Sequence, residues 1–179
     1  MSIGLHPAIA PPRTTWADAG GAAPSLSAIY DLGGGLTQPS MGTGAVRDSS
    51  FTRIGKEVFA TCRIIWGASP TIGAGLYGIA GLPVGPKINT GQGRHVGDGF
   101  IVDPSDSGKA LYVNLVLDPF FSTTVPFMWL HAAQATVSAT TVLVPALTGG
   151  SPSPFVTNAN PWVPAEGDII NLRLQYEGV

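Results

Sequence analysis

The chain has 179 residues, a net charge of −2 at pH 7 and only 11% charged residues, although 44% of its residues are hydrophobic. Disordered chains combine low hydrophobicity with high charge, so this composition predicts a folded domain. The nine basic residues are scattered along the sequence, which argues against the clustered basic surface that nucleic-acid binding requires. Charged residues make up about 25% of ordinary globular proteins, and the low value here favours a surface that other chains cover.

Cys62 is the single cysteine, which excludes an intrachain disulfide framework and a cysteine-based zinc site. Its apolar neighbours predict a buried, unreactive thiol. Residues 1–13 lack the basic and apolar regions of a secretory signal. No apolar run reaches the length of about 18 residues that a membrane span needs, so we expect no membrane insertion.

Residues 1–24 are predicted to form an irregular arm. Pro11-Pro12 and Gly20-Gly21 interrupt them, and such pairs prevent a regular element. Trp16 is the large aromatic of this arm, and its burial would be strongly favourable. We expect Trp16 to anchor the arm on the body or on a neighbouring chain; a loosely packed arm residue is the alternative.

From Leu26 onward, apolar and other residues alternate with a period of two. The clearest case is the pair of segments 51–54 and 57–66, separated by Gly55-Lys56. Glycine at the first position of a two-residue turn predicts a type II′ hairpin. The other predicted strands are residues 26–32, 76–82, 100–103, 110–118, 126–132, 136–144 and 168–177.

Short strands separated by Gly, Pro, Ser and Asn clusters are typical of β-sandwiches and barrels. The sequence therefore predicts an all-β fold, an antiparallel, jelly-roll-like β-sandwich over residues 25–179. The irregular arm of residues 1–24 precedes it.

A dinucleotide-binding spacing occurs at Gly73, Gly75 and Gly78, with Asp98 further along. That site requires a helix directly after the glycines. Proline and glycine at residues 81–86 prevent such a helix. A glycine-rich strand or turn is therefore predicted, and no cofactor is expected.

A calcium loop is suggested by four residues between positions 98 and 108, namely Asp98, Asp103, Asp106 and Gly108. Their spacing departs from the EF-hand pattern, and no glutamate closes the site. Aspartate and glycine are also ordinary turn formers. Turn formation is favoured, and metal binding by this loop stays open.

No catalytic constellation is present in the sequence. His6, His95 and His131 have no histidine or glutamate at a metal-binding spacing, and no Gly-x-Ser-x-Gly motif occurs. The acidic residues contain no motif that singles out a glycosidase-type pair. The chain is therefore predicted not to be an enzyme, with no catalytic, cofactor-binding or metal-binding residues.

Two segments combine turn and strand residues in a recognisable way. In residues 51–58 an aromatic and a basic residue precede Ile-Gly and a strand, and Gly-Leu-Pro follows at residues 81–83. In residues 160–168 Pro-Trp and Gly-Asp flank a turn before the last strand. These segments resemble a β-module of bacteriophage tail-fibre and minor tail proteins, particularly those from phages of actinobacteria. Residues 86–160 have no counterpart in that family.

The resemblance implies a virion protein, made in the cytoplasm of the bacterial host and assembled as a homotrimer with other virion proteins of the tail or capsid. We expect a tail-fibre-like or minor tail component that acts in particle assembly or contacts a host surface glycan. The alternatives are a capsid decoration or head-fibre protein, whose arm would lie along the capsid lattice, a lectin-like carbohydrate-binding domain, and a depolymerase.

The candidate interface or anchor residues are all aromatic, namely Trp16, Phe120, Phe121, Trp129 and Trp162. Adjacent residues of a strand face opposite sides. One of Phe120 and Phe121 is therefore expected to meet something other than the core of its own sheet. A trimer interface or a sugar ring would satisfy this expectation.

Overall fold

A computed structural model describes residues 14–16, 22–31, 35–87, 93–105, 109–122, 124–130, 134–135, 142–143 and 163–179. All regular structure in these ranges is β-strand, and all strand pairs are antiparallel. The strands are β1 (Ser25–Tyr30), β2 (Val46–Ile54), β3 (Glu57–Ile65), β4 (Leu76–Ala80), β5 (Arg94–Asp103), β6 (Lys109–Leu117), β7 (Phe127–Leu130), β8 (Gln134–Ala135), β9 (Val142–Leu143) and β10 (Ile169–Glu177). The chain is an antiparallel β-sandwich, and the predicted fold class is confirmed.

Eight strands form one hydrogen-bonded sheet in the order β1-β4-β7-β6-β5-β10-β3-β2, while β8 pairs with β9. Gly55-Lys56 joins β2 to β3, and the φ of Gly55 is 62°, which the first position of a type II′ turn requires. The last strand, β10, pairs with β3 from Glu57 opposite Glu177 to Ile65 opposite Ile169. The predicted hairpin and the predicted final strand are both confirmed.

The ribbon made by β2 and β3 continues beyond these two strands. Its last pair is Thr37 opposite Ala74, in the same register as Ile54 opposite Glu57. Beyond this pair the same two stretches pair again as β1 and β4, from Tyr30 opposite Leu76 to Ser25 opposite Ala80. One long folded hairpin therefore supplies both outer strands of the sheet, β1 and β2, and this is the jelly-roll-like feature of the sandwich.

Alternate residues of the strands form the interior. On β3 and β10 the buried residues are Val58, Ala60, Cys62, Ile64, Ile170, Leu172, Leu174 and Tyr176. Each large apolar side chain buried in this way contributes about 1.5–3 kcal/mol of transfer free energy. The inner faces of β1, β5 and β6 are also buried, and no helix in the described ranges covers them. The sheet therefore folds over and packs against itself.

Both outer strands of the sheet have their backbone partly covered. The Gln38 carboxamide accepts a hydrogen bond from the Ala28 N–H at 3.0 Å and donates one to the Ala28 carbonyl at 2.8 Å. The Gln38 carboxamide thus makes the same two backbone hydrogen bonds to β1 that a neighbouring strand would make. On β2, Phe51 exchanges two backbone hydrogen bonds with Thr14, at 2.8 and 3.2 Å. Covered edges disfavour unspecific pairing with other chains.

The strand β5 begins at Arg94 rather than at Phe100, where the sequence predicts its start. The additional part contains Gly97 and Gly99, and glycine is ordinarily depleted in strands. A Cβ atom at Gly99 would lie 2.1 Å from the carbonyl oxygen of Asn171 on β10, and Gly97 is crowded by the same strand. These glycines allow β10 to approach closely, which is a recognised use of glycine inside a strand.

Most of the strand predicted at residues 136–144 lies outside the described residues, which include only Val142–Leu143 of it. The strand predicted at residues 126–132 is described as Phe127–Leu130. Within the described ranges no helix has the length and apolar character that a membrane span would need.

Candidate functional site on the outer face of the sheet

The outward-facing side chains of five neighbouring strands form one mixed polar and aromatic surface. Residues directly opposite each other in antiparallel strands lie on the same face of the sheet. Strand pairing aligns a first row, in the order β2, β3, β10, β5 and β6, of Asp48, Arg63, Asn171, Phe100 and Tyr112. It aligns a second row, in the same order, of Ser50, Thr61, Arg173, Asp98 and Asn114. We call these two rows the outer-face patch.

Two exposed aromatic rings occupy neighbouring strands at one end of the outer-face patch. Phe100 of β5 lies opposite Tyr112 of β6, and the two residues are 39% and 45% exposed. On the same face, Phe59 of β3 lies opposite Gln175 of β10, next to the second row. It is 40% exposed. Adjacent exposed rings on well-ordered strands are typical of a contact surface.

The centre of the outer-face patch carries charged groups of both signs. Arg173 Nη2 donates a hydrogen bond to Asp98 Oδ1 at 3.1 Å, and the two side chains form an exposed ion pair. Arg63 lies in register between Asp48 and Asn171. Within the described part of the chain, the Arg63 and Asn171 side chains make no hydrogen bond or ion pair. Arg63 is exposed and Asn171 is half-buried, so solvent reaches their donors and acceptors.

A shallow groove follows the outer-face patch, with a volume of about 750 Å³. A neighbouring depression of about 610 Å³ shares Asp98 and Arg173 with it and extends to Phe59 and His95. The groove volume lies in the range of about 300–1,000 Å³ that is usual for small-molecule sites. The acidic and basic side chains that line the groove are equal in number, namely Asp48, Asp98, Arg63 and Arg173, so the groove is electrically balanced.

The predicted anchor Trp16 is fully buried in the described structure. Its indole Nε1 donates a hydrogen bond to the Ser50 carbonyl at 3.3 Å, and its backbone N–H donates one to Ser49 Oγ at 3.4 Å. Both acceptors belong to β2 of the same chain. Trp16 therefore packs on the body of its own chain, which leaves no exposed surface on it for a neighbour.

Phe120 and Phe121 lie in the turn that follows β6, not in a strand. Asp118 organises this turn, because its Oδ1 accepts a hydrogen bond from the Phe120 N–H at 2.9 Å. Phe121 packs edge-on against Tyr30 with ring centroids 5.0 Å apart, while Phe120 remains 72% exposed. Because β6 ends at Leu117, the two rings do not alternate as residues of a strand, and their roles as interface residues stay predictions.

The other two aromatic candidates are described only in part or not at all. Trp129 belongs to β7, where its backbone lies opposite Asn114 of β6. Trp162 lies outside the described residues, as do His6 and His131. Their roles as interface residues stay predictions.

The acidic residues considered for calcium are not gathered in one loop. Asp98 lies within β5 and is bonded to Arg173. Asp103 ends the same strand, and its Oδ1 accepts hydrogen bonds from the Ser105 N–H at 2.9 Å and hydroxyl at 2.6 Å. Asp106 and Gly108 lie outside the described residues. Among the described residues, no group of three or more His, Cys, Asp or Glu could hold a metal ion.

The glycine-rich stretch and the single cysteine are both structural. Gly78 lies inside β4, and Gly73 and Gly75 belong to the stretch between β3 and β4, so the predicted strand or turn is confirmed. Cys62 is buried on the inner face of β3, and burial raises the pKa of its thiol to about 12. The prediction of a buried thiol is confirmed, and such a thiol is unreactive at neutral pH.

The outer-face patch as a unit was not predicted from the sequence. The sequence does contain a pattern that indicates its residues. Thr61 and Arg63 alternate with buried residues on β3, and Asn171 and Arg173 do so on β10. Which strands are neighbours, and in which register, cannot be deduced from this alternation. The pairing of β5 with β10 is what joins Phe100 and Tyr112 to these polar residues.

Comparisons of the chain with family models, with curated proteins and with solved structures found no match. What the chain does must therefore be inferred from its own residues.

Proposed function

We propose that this chain is a non-enzymatic structural and adhesive subunit of a bacteriophage tail, with the outer-face patch as its contact surface. The observation that carries the proposal is the patch itself. It has exposed rings, an ion pair and amides on five neighbouring strands, and the inner faces of four of them, β3, β5, β6 and β10, are buried in the core. A binding surface on strands is held rigidly, and rigid presentation reduces the entropy lost on binding.

The two segments that resemble tail modules support the proposal because both lie along β3, one at each of its ends. Residues 51–58 include the turn between β2 and β3, and β10 pairs along the whole of β3. The turn before β10 is bonded to the end of the β3 ribbon. Gly167 donates a backbone hydrogen bond to Trp66 at 3.0 Å, and Trp66 donates one to Asp168 at 2.9 Å. Residues 51–58 and 163–168 thus belong to one three-stranded unit of β2, β3 and β10 and the turns at its ends, whereas residues 81–83 lie outside this unit.

Assembly as a homotrimer, bound to other virion proteins, belongs to the same proposal. Phe120 supports it, because a phenyl ring with 72% exposure in an ordered turn gains from burial against another chain. The low charge content of the chain supports it as well, since interface cores are depleted in charge.

The test is to locate the chain in purified particles of the phage that encodes it. Antibodies raised against the full chain are used for immunogold electron microscopy, and quantitative mass spectrometry gives the copy number per particle. We expect label on the tail and few copies. Label over the capsid, with copies in proportion to the major capsid protein, would identify a decoration protein instead. Absence from the particles would refute the proposal.

A further inference from the structure

We infer that the groove on the outer-face patch binds a neutral oligosaccharide. This inference rests on the proposed contact with a host surface, and it names the ligand class and the residues that take it. It moves the expected sugar-binding site from the turn at Phe120 to the central strands of the sheet.

The aromatic rings of the groove are positioned to stack on a sugar. Phe100 and Tyr112 lie side by side across β5 and β6 and are both partly exposed. Aromatic faces carry negative electrostatic potential and large apolar area. The C–H groups on one side of a pyranose ring are a complementary apolar surface. Tyr112 also carries a hydroxyl group, which can exchange a hydrogen bond with a sugar hydroxyl.

The polar groups beside the rings also suit a sugar. Asn171 lies directly opposite Phe100, and Arg63 lies directly opposite Asn171. Amide and guanidinium groups are planar and present several donors or acceptors in fixed directions. Vicinal hydroxyl groups of a sugar match such paired groups. The row from Tyr112 to Arg63 therefore offers stacking at one end and directional hydrogen bonds at the other.

The acidic and basic side chains of the groove balance each other, which favours a neutral ligand. Asp98 neutralises Arg173 through a direct hydrogen bond of 3.1 Å, and Asp48 lies directly opposite Arg63. An anionic polymer such as nucleic acid or an acidic glycan binds where basic groups are in excess. The groove has no such excess, since its lining contains two acidic and two basic side chains.

A second copy of the chain fits this surface less well. The centre of a stable protein interface is apolar and depleted in charge. Here the Arg173–Asp98 ion pair occupies the second row, between Phe59 on one side and Phe100 on the other. The rings are thus separated by charges and do not form a continuous apolar core. An oligosaccharide, which alternates C–H faces with hydroxyl groups, suits this alternation.

The experiment uses the full chain on a glycan array that carries neutral hexose, deoxyhexose and N-acetylhexosamine oligomers together with uronic and sialic acid oligomers. Neutral glycans retained on the array are then titrated by calorimetry. The variants are Phe100→Ala and Tyr112→Ala, and the matched control is Phe120→Ala, which removes an exposed ring from the turn after β6 instead. Light scattering and thermal melting are recorded for each protein.

We expect neutral glycans to bind, and each of F100A and Y112A to weaken binding by about five- to tenfold, the effect of losing one ring contact. In calorimetry F120A should keep the per-site affinity of the unaltered chain, even where loss of the Phe120 ring lowers its mass in solution. Retention of acidic glycans alone, loss of binding in F120A alone, or no retained glycan would each overturn the inference. A lower mass in solution for F100A or Y112A would assign the face to a second copy instead.

Failure here is distinguishable from failure of the proposed function. A chain found on tails that binds no neutral glycan keeps its virion role and loses this ligand. A chain that binds neutral glycans but is absent from particles keeps the ligand and loses the virion role.

Discussion

The two faces of β3 and β10 differ completely, although they alternate residue by residue along the same strands. The inner face buries apolar side chains such as Ile64 and Leu172, whereas the outer face presents Arg63, Asn171 and Arg173. Successive side chains of a strand point to opposite faces. Neighbouring residues in the sequence can therefore have separate roles, one in stability and the next in recognition.

The largest expected change in stability distinguishes the neighbours Ile64 and Arg63. Ile64→Ala removes a fully buried side chain and should lower the free energy of unfolding by about 2–5 kcal/mol. Arg63→Ala alters an exposed residue, and its effect should stay within about 0.5 kcal/mol. Urea denaturation of both variants measures the difference. Equal destabilisation would show that the outer face also contributes to the folded state, which would weaken the comparison.

A second prediction concerns the close contact of β5 with β10. Gly99→Ala would place a Cβ atom 2.1 Å from the Asn171 carbonyl oxygen and 2.6 Å from Leu172 Cδ2. The strands would have to separate, at a cost of about 1–3 kcal/mol. Gly85→Ala is the control, because its nearest neighbour within the described structure is the flexible end of Val179 at 3.3 Å. A G99A chain as stable as G85A would contradict this account of β5.

The turn that leads into β10 gives a third, smaller effect. Asp168 is buried, and its Oδ2 accepts a hydrogen bond from the Ala165 N–H at 2.8 Å. Asp168→Ala should lower the free energy of unfolding by about 1–2 kcal/mol, because a buried donor loses its acceptor. Asp168→Asn keeps a carbonyl acceptor and should cost less. Thermal melting of both variants gives their order of stability. A D168N chain less stable than D168A would contradict the role of Asp168 as a hydrogen-bond acceptor.

The smallest expected change in stability concerns the ion pair of Glu177, the last residue of β10. Lys87 Nζ lies 2.9 Å from Glu177 Oε1 and lowers the pKa of that carboxyl group, mainly through their hydrogen bond. A carboxyl group whose pKa is lower in the folded state stabilises the fold above its unfolded pKa. This contribution is lost as the pH falls through the folded pKa. Lys87 is exposed and Glu177 is half-buried, so solvent screens the ion pair and its contribution is small.

Melting temperatures measured from neutral pH downward test this ion pair. The unaltered chain should lose slightly more stability on acidification than Lys87→Met, and the difference should shrink at high salt. Identical acid profiles for the two proteins would mean that the pair does not stabilise the fold.

Local chemistry was sufficient to predict the best-defined elements of the fold. Gly55-Lys56 between two alternating segments specifies the β2–β3 hairpin, and the alternation from Ile170 to Tyr176 specifies β10. The start of β5 was not predictable, because Gly97 and Gly99 lower strand propensity by themselves. Only the position of the β10 backbone shows why glycine is needed there, because a Cβ atom at either residue would clash with it. The end of β6 was predicted at residue 118, but propensity does not reveal the hydrogen bond with which Asp118 organises the turn at Phe120.

The sequence by itself determined the all-β class, the hairpin, the last strand and the burial of Cys62. Each of these follows from side-chain alternation or turn chemistry within a few residues. Only the tertiary structure decided that β10 lies between β3 and β5 and that Phe100 and Tyr112 share a face with Arg63 and Asn171. Strand order and register depend on contacts between residues far apart in the chain, and a local period of two does not encode them.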